Sequence, residues 1–480
     1  MWPLRLACIV LAVAGLSWAF AGAGSGATRR GGVSSRPNVL LVSIDSLRAD
    51  HVGSYGYTRD TSPTIDRLAR RGVLFESAIS SASWTIPAHM TMLTGLPPEV
   101  HDVRTNTRAL GPDALTLAKV LQDAGYETAA FVSGPTVMAQ YGFGRGFALF
   151  DESMVQTNRA RAHLGITSPG LADLVDGYLE RWDYGGREAP FFVFLHMWDV
   201  HYDYTPPEPY DRMFDPDYTG DLTSVNFEHN PKINPGMDKR DLQHLIALYD
   251  GEIRFTDEHL GRVLDRLRAM GVLDDTIVVV TSDHGEEFFE HGLKGHAKTL
   301  YDEVLHVPLV ISYPRRVRFA QRVRQQVRMM DVAPTILGLA RVPVPPGFGA
   351  AGLAKPYALA DLSPFIAGVR PRLGVPELPA FSDLLGMLGH ETSIRTPAAK
   401  LIHYDKPRPG HLGTEIFDLA RDPGEQRNLV GTGEAQPFAK KLDPDLAAWG
   451  AAVASQTKLA VALQPSAQHQ AQLRALGYVE

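Results

Sequence analysis

Carboxylates and imidazoles recur where apolar runs stop: Asp45 closes PNVLLVSID, Asp199 and His201 follow FFVFLHMW, and Asp283 and His284 follow TIVVVTS. Thr85 stands before Ile86 and Pro87 in SASWTIPAHMTMLTG, at the entrance to a helical pattern. Two carboxylates, an imidazole and a hydroxyl oxygen can bind a divalent cation. A cation so held can also lower the pKa of a hydroxyl and make it a nucleophile. Taken singly, an Asp or Ser at a strand end more often caps the next helix. SDHGEE is harder to assign to packing, because an acid and an imidazole lie side by side before Gly. The recurrence at several strand ends carries more weight than any one of them.

Such residues converge only if the strands end on one edge of a sheet. PNVLLVSID, PFFVFLHMWDVH, DTIVVVTSDHGEE and VPLVISYP are short continuous apolar runs, as expected of strands buried on both faces. Helical patterns lie between them. TSPTIDRLARRG offers Ser62 as N-cap, Pro63 at the first helical position and Gly72 past the end. ALTLAKVLQDAGYETAAFVSG spaces Leu117, Val120, Leu121 and Ala124 on one helical face, stops at Gly125 and enters a strand at Phe131. A long helical pattern covers residues 239–270. This alternation predicts an α/β domain over residues 37–340, with a mostly parallel central sheet and helices on both faces, whose site lies at the strand ends. RVPVPPGFGAAGLAKP is a Pro/Gly-rich connection, and residues 341–480 read as that connection, a small α+β subdomain and terminal helices.

The chain has 480 residues, 44% hydrophobic and 21% charged, with a formal net charge of −7, which is ordinary globular composition without a basic patch for nucleic acid. Residues 1–23 read as a secretory signal, with Arg5 before an apolar run and small residues at Ala19, Ala21 and Ala23. The alternative is an uncleaved N-terminal anchor. Residues 24–36 form a linker, and no integral span is expected after signal cleavage. The expected location is secreted or periplasmic; Cys8 is the only cysteine, so the mature chain would have neither a disulfide nor a catalytic thiol, which suits a bacterial periplasm better than a disulfide-rich extracellular setting.

PNVLLVSIDSLRADHVGSYGY, SWTIPAHMTMLTG, FLHMWDVHYDYTPP, TIVVVTSDHGEEFFEHG, LYDEVLHVPLVI, VAPTIL and EIFDLARDPGEQRNL follow one another in the order seen in the sulfatase family of the alkaline phosphatase superfamily. The resemblance spans residues 37–430. Fold does not settle reaction. The family's nucleophile motif resembles C/S-x-P-x-R, its first residue being oxidised to formylglycine. Here the matching stretch is Thr85-Ile86-Pro87-Ala88-His89. A Thr β carbon bears a methyl group, so its oxidation would give a ketone and no formylglycine. Ser83 is oxidisable but two residues out of register. The family's G-K-W-H block has no counterpart, and FVSGPTVM stands there.

The resemblance implies a metal held by Asp45, Thr85, Asp283 and His284, with Ser46 as a further candidate where the family pairs aspartates. One carboxylate fewer and one imidazole more favour zinc or manganese, with calcium as the alternative. Thr85 then resembles the nucleophile of phosphodiesterase-like and phosphoethanolamine transferase-like superfamily members. His201, Lys294 and His296 match positions that contact the anion or protonate the leaving oxygen, and His89 can orient Thr85. His201, His296 and Asp199 could instead hold a second metal. Arg48 and Asp50 are expected to shape their loop, and Trp84 and Tyr202 to line the pocket. The expected activity is metal-dependent hydrolysis of a small anionic sulfate, phosphate or phosphonate ester, carried on a glycan or lipid. A phosphoryl transferase and a catalytically inactive sulfatase-like binding protein are the alternatives.

Overall fold

A computed structural model describes residues 36–155, 165–317, 319–349, 353–366, 375–386, 389–406, 413–476 and 478. The expected signal segment 1–23, and the linker apart from Arg36, lie outside the described residues. Among the described residues no helix is long and apolar enough to cross a membrane.

The central sheet runs, from one edge, Gln321–Val323, Val73–Ile79, His306–Ser312, Thr276–Thr281, Asn38–Ile44, Phe191–Met197, Glu127–Val132 and Leu149–Asp151, with Val327–Arg328 also paired to Val73–Ile79. All of its pairings are parallel except the two made by His306–Ser312. Asn38–Ile44 lies at the centre, with Val39 opposite Phe192 on one side and Ile277 on the other. Side chains alternate across a strand, so a continuous apolar run feeds two cores. Val39, Leu41, Ile277, Val279, Phe192 and Phe194 enter one layer, covered by the helices Thr85–Thr94, Leu117–Asp123 and Val332–Ala340. Leu40, Val42, Val278, Val280, Val193 and Leu195 enter the other, covered by Pro63–Ala69, Ser168–Tyr184 and Lys239–Ala269.

The sequence predicts the start of the helix Pro63–Ala69 correctly but not the group that caps it. Ser62 makes no side-chain cap. The buried Asp257 carboxylate accepts from Thr64 N at 2.7 Å and Ile65 N at 2.9 Å, tying this helix to Lys239–Ala269. The strand Val73–Ile79 has no counterpart in the apolar runs because Glu76 and Ser77 interrupt it on a half-exposed stretch.

Beyond the connection, Ala380–Gly386, Gly389–Arg395, Ala399–Tyr404 and Thr414–Asp418 form an antiparallel sheet over the helix Gln436–Ala454, the α+β subdomain. Its core includes Phe381, Ile394, Leu401 and Trp449, with the Phe381 and Trp449 rings stacked at 4.3 Å. The chain then returns to the main domain, where Ala460–Ala462 pairs with Arg108–Leu110 and the helix Ala467–Ala475 follows.

Candidate active site

Parallel strands deliver their C-terminal ends to one edge, and the polar residues gather there. Asp45 follows the central strand, its amide fixed by the Met197 carbonyl at 2.9 Å. Ser46 adopts a left-handed conformation with φ of 57°. That turn aims its amide at Asp283 Oδ1, 3.3 Å away, and its hydroxyl at Asp45 Oδ1, 3.0 Å away. Thr85 opens the helix Thr85–Thr94, preceded by Trp84 in extended conformation. The Thr85 hydroxyl lies 3.2 Å from His284 Nε2. Asp45, Thr85, Asp283 and His284 are each fully buried.

Carbonyl oxygens only accept, so the partners fix the tautomers. His284 Nδ1 donates to Gly285 O at 2.8 Å, which leaves Nε2 without a proton in the neutral ring. That bare nitrogen faces Asp283 Oδ2 at 3.2 Å and Asp45 Oδ1 at 3.7 Å. Asp283 Oδ2 has no hydrogen-bond donor. The nearest candidate, His89 Nδ1 at 3.3 Å, already donates to Thr85 O at 3.0 Å. Lone pairs confronting one another in a dry site are costly, and either a proton on Nε2 or a cation relieves them. Asp45, Asp283 and His284 each offer a ligand atom within 4.8 Å of the others, so the donor set fits a divalent cation.

The electrostatics tell the same story. Burial and repulsion from Asp283 raise Asp45 well above the usual carboxylate range. Burial also pushes Asp283 up, but the imidazoles of His284, His89 and His196 outweigh it and hold this carboxyl at about 2. For His284, burial lowers the pKa and the two carboxylates more than reverse it.

His89 sits one turn into the helix and holds it to the central strand, since its Nε2 accepts from the Ser43 hydroxyl at 2.8 Å. Burial lowers its pKa to about 3, so the ring is neutral. His196, absent from the candidates read from sequence, donates from Nε2 to Asp45 Oδ2 at 3.0 Å. An imidazole inside a strand buried on both faces was the available signal.

The remaining sequence candidates separate into two groups. His201 and His296 approach each other, ring centroids 4.8 Å apart, and His296 lies 4.3 Å from His284. His201 Nδ1 donates to Tyr202 O at 2.6 Å, and His296 Nδ1 meets Glu286 Oε1 at 2.9 Å. Both Nε2 atoms therefore point at one place. Burial drives the pKa of His201 and of His296 well down. Lys294 is directed elsewhere: its ammonium donates to Phe227 O at 2.7 Å and Ile233 O at 2.8 Å and lies over the Phe227 ring. Asp199 accepts from Thr167 N at 2.8 Å and Ser168 N at 2.7 Å, capping the helix Ser168–Tyr184. Arg48 pairs with Asp50 and Glu290 and donates to Glu286 O, bracing the loop.

A cavity of about 310 Å³ opens beside the cluster, lined by Trp84, Tyr202, His296, Leu384 and Tyr478 among others. Its cations are already paired, Arg104 with Asp383 at 3.2 Å and Lys298 with Glu228 at 2.6 Å. Tyr478, from the distant C-terminal segment, reaches both histidines and was not foreseen from sequence.

A family model described as Sulfatase matches residues 37–342. The chain is 26% identical over 438 residues to an ulvan-active sulfatase of Formosa agariphila, covering 86% of this chain and 80% of that protein. It is 27% identical over 381 residues to the multifunctional alkaline phosphatase superfamily protein PehA of Trinickia caryophylli, covering 63% of this chain and 73% of the relative. The phosphonate monoester hydrolase of Agrobacterium radiobacter shares the fold, with a TM-score of 0.68 at 24% identity over 90% of this chain and all of that one.

Proposed function

Because the chain belongs to the Sulfatase family, a family of ester hydrolases, we propose that it cleaves sulfate, phosphate or phosphonate esters with Thr85 as nucleophile, and with phosphate or phosphonate favoured. The observation that carries this is the Thr85 hydroxyl at a helix N-terminus, 3.2 Å from Nε2 of His284. Asp45, Asp283, His284 and Thr85 are the residues that would hold a divalent metal, zinc or manganese by donor type. Such an ion would supply Lewis-acid charge for an anionic ester and for the Thr85 oxygen. No formylglycine enters, for the methyl on the Thr85 β carbon bars it.

The chain's own groups account for the remaining steps. Free N–H groups at the start of the helix Thr85–Thr94 favour an anionic phosphoryl or sulfuryl oxygen. Thr85 gives up its hydroxyl proton to solvent water as its oxygen bonds to phosphorus or sulfur. The ester bond on the opposite side breaks, and the departing alcohol oxygen takes a proton from water by way of the His201–His296 pair, whose Nε2 atoms converge on that side. Water then cleaves the Thr85 ester and restores the hydroxyl. His89 positions Thr85 through its carbonyl. Export by residues 1–23 would deliver the enzyme to esters carried on glycans or lipids.

The test is a panel. The purified protein, loaded in turn with zinc, manganese and calcium, is assayed on aryl sulfate, phosphate monoester, phosphodiester and phosphonate monoester, with Thr85→Ala as control. Turnover with at least one ester that Thr85→Ala abolishes is the expected result. Turnover that survives Thr85→Ala, or none with any metal, would overturn the reading.

A further inference from the structure

We propose that the C-terminal segment bearing the helix Ala467–Ala475 is an intramolecular occupant of the active site, its Tyr478 phenol seated where an ester substrate places its leaving oxygen; this rests on the ester-hydrolase reading of the site. The Tyr478 hydroxyl lies 2.8 Å from His201 Nε2 and 2.9 Å from His296 Nε2. The other ring nitrogens are engaged with Tyr202 O and Glu286. The phenol therefore takes the two imidazole atoms that remain to meet a substrate.

The ring also blocks the approach. It packs on Trp84 with centroids 6.0 Å apart, and Tyr478 and His296 line the cavity whereas Thr85, fully buried, does not. An ester entering by this cavity meets the phenol before it meets Thr85.

The segment is held by contacts upstream of Tyr478. Leu473 and Leu476 are buried, Tyr202 donates to Leu476 O at 2.8 Å, and the Tyr141 hydroxyl meets His469 Nε2 at 2.8 Å. Ala460–Ala462 is paired in a two-stranded ribbon. The phenol can leave the histidines while these anchors persist, so closure competes with substrate and the segment need not unfold. The apparent affinity for an anion is then reduced by the fraction of molecules that are open.

Inorganic phosphate binding to the zinc-loaded full-length protein, measured by calorimetry, tests this with Tyr478→Ala and Tyr478→Phe. Two neutral hydrogen bonds and a ring contact together correspond to roughly tenfold or more. Tyr478→Ala is expected to bind phosphate at least about tenfold more tightly than the parent and to lower KM for an aryl phosphonate by a similar factor. Tyr478→Phe, which keeps the ring, should fall between. Affinity within about twofold of the parent in both variants overturns the proposal. So does a fall in kcat of about tenfold or more in Tyr478→Phe at unchanged KM, since the hydroxyl would then serve the reaction. Tighter phosphate binding without turnover of any ester would leave the occupancy standing and remove the hydrolase reading instead.

Discussion

Replacing His196 by Leu should weaken divalent-metal binding without unfolding the chain. His196 Nε2 and Asp45 Oδ2 are 3.0 Å apart, and both side chains are wholly buried. The imidazole sets which way the Asp45 carboxylate faces, because the other oxygen, Oδ1, already accepts from Ser46 and points toward His284. Outer partners of ligating groups typically control about 10–100-fold in metal affinity. Leu fills much of the imidazole's space but donates nothing, leaving one buried carboxylate oxygen unsatisfied at a cost of roughly 1–3 kcal/mol. His196→Leu should therefore bind zinc about 10–100-fold more weakly by calorimetric competition with a chelator. Its activity should return toward the parent's as zinc is raised to saturation. His196→Gln, which restores a donor, should recover part of the affinity. Zinc affinity within about twofold of the parent in His196→Leu would refute the reasoning, for Asp45 would then need no orienting partner.

Asp199→Ala should lower the melting temperature, since two helix-start amides lose their acceptor at roughly 1–2 kcal/mol, yet leave the number of bound metal ions unchanged; loss of an ion would restore the second-metal reading of that carboxylate. His291 Nδ1 meets Glu303 at 2.6 Å, and despite burial this partner raises the imidazole pKa to about 9. A raised histidine stabilises fully below its unfolded pKa near 6.5 and loses that contribution as pH climbs through the folded value. The free energy of unfolding should thus fall between pH 6.5 and about 9, by on the order of 3 kcal/mol at most, and His291→Gln should flatten that slope.

The parallel core was legible because strands buried on both faces leave continuous apolar runs, and because polar residues at their ends have few packing explanations. That logic reaches Asp45, Asp283 and His284, which the fold brings together at one sheet edge. It does not reach Asp257, whose capping of a helix far away in sequence involves no local pattern, nor the antiparallel direction of His306–Ser312, since an apolar run carries no polarity. Lys294 and His296 are separated by a single residue, and spacing could not say which would face the cluster. The backbone between them has Gly295 in a left-handed conformation with φ of 79°, and it sends the ammonium to the Phe227 and Ile233 carbonyls and the imidazole to Tyr478. Tyr478 itself depends on the C-terminal segment crossing back from the small subdomain, a contact that only tertiary structure determines.

The central claim is that Thr85 carries the transferred group. Rapid acid quench during turnover of an aryl phosphonate, followed by mass spectrometry of the peptide containing residues 81–95, tests it directly. The account predicts a phosphonyl ester on Thr85 that is absent from Thr85→Ala. An ester on Ser83, or continued turnover by Thr85→Ala with no ester on this peptide, would contradict it.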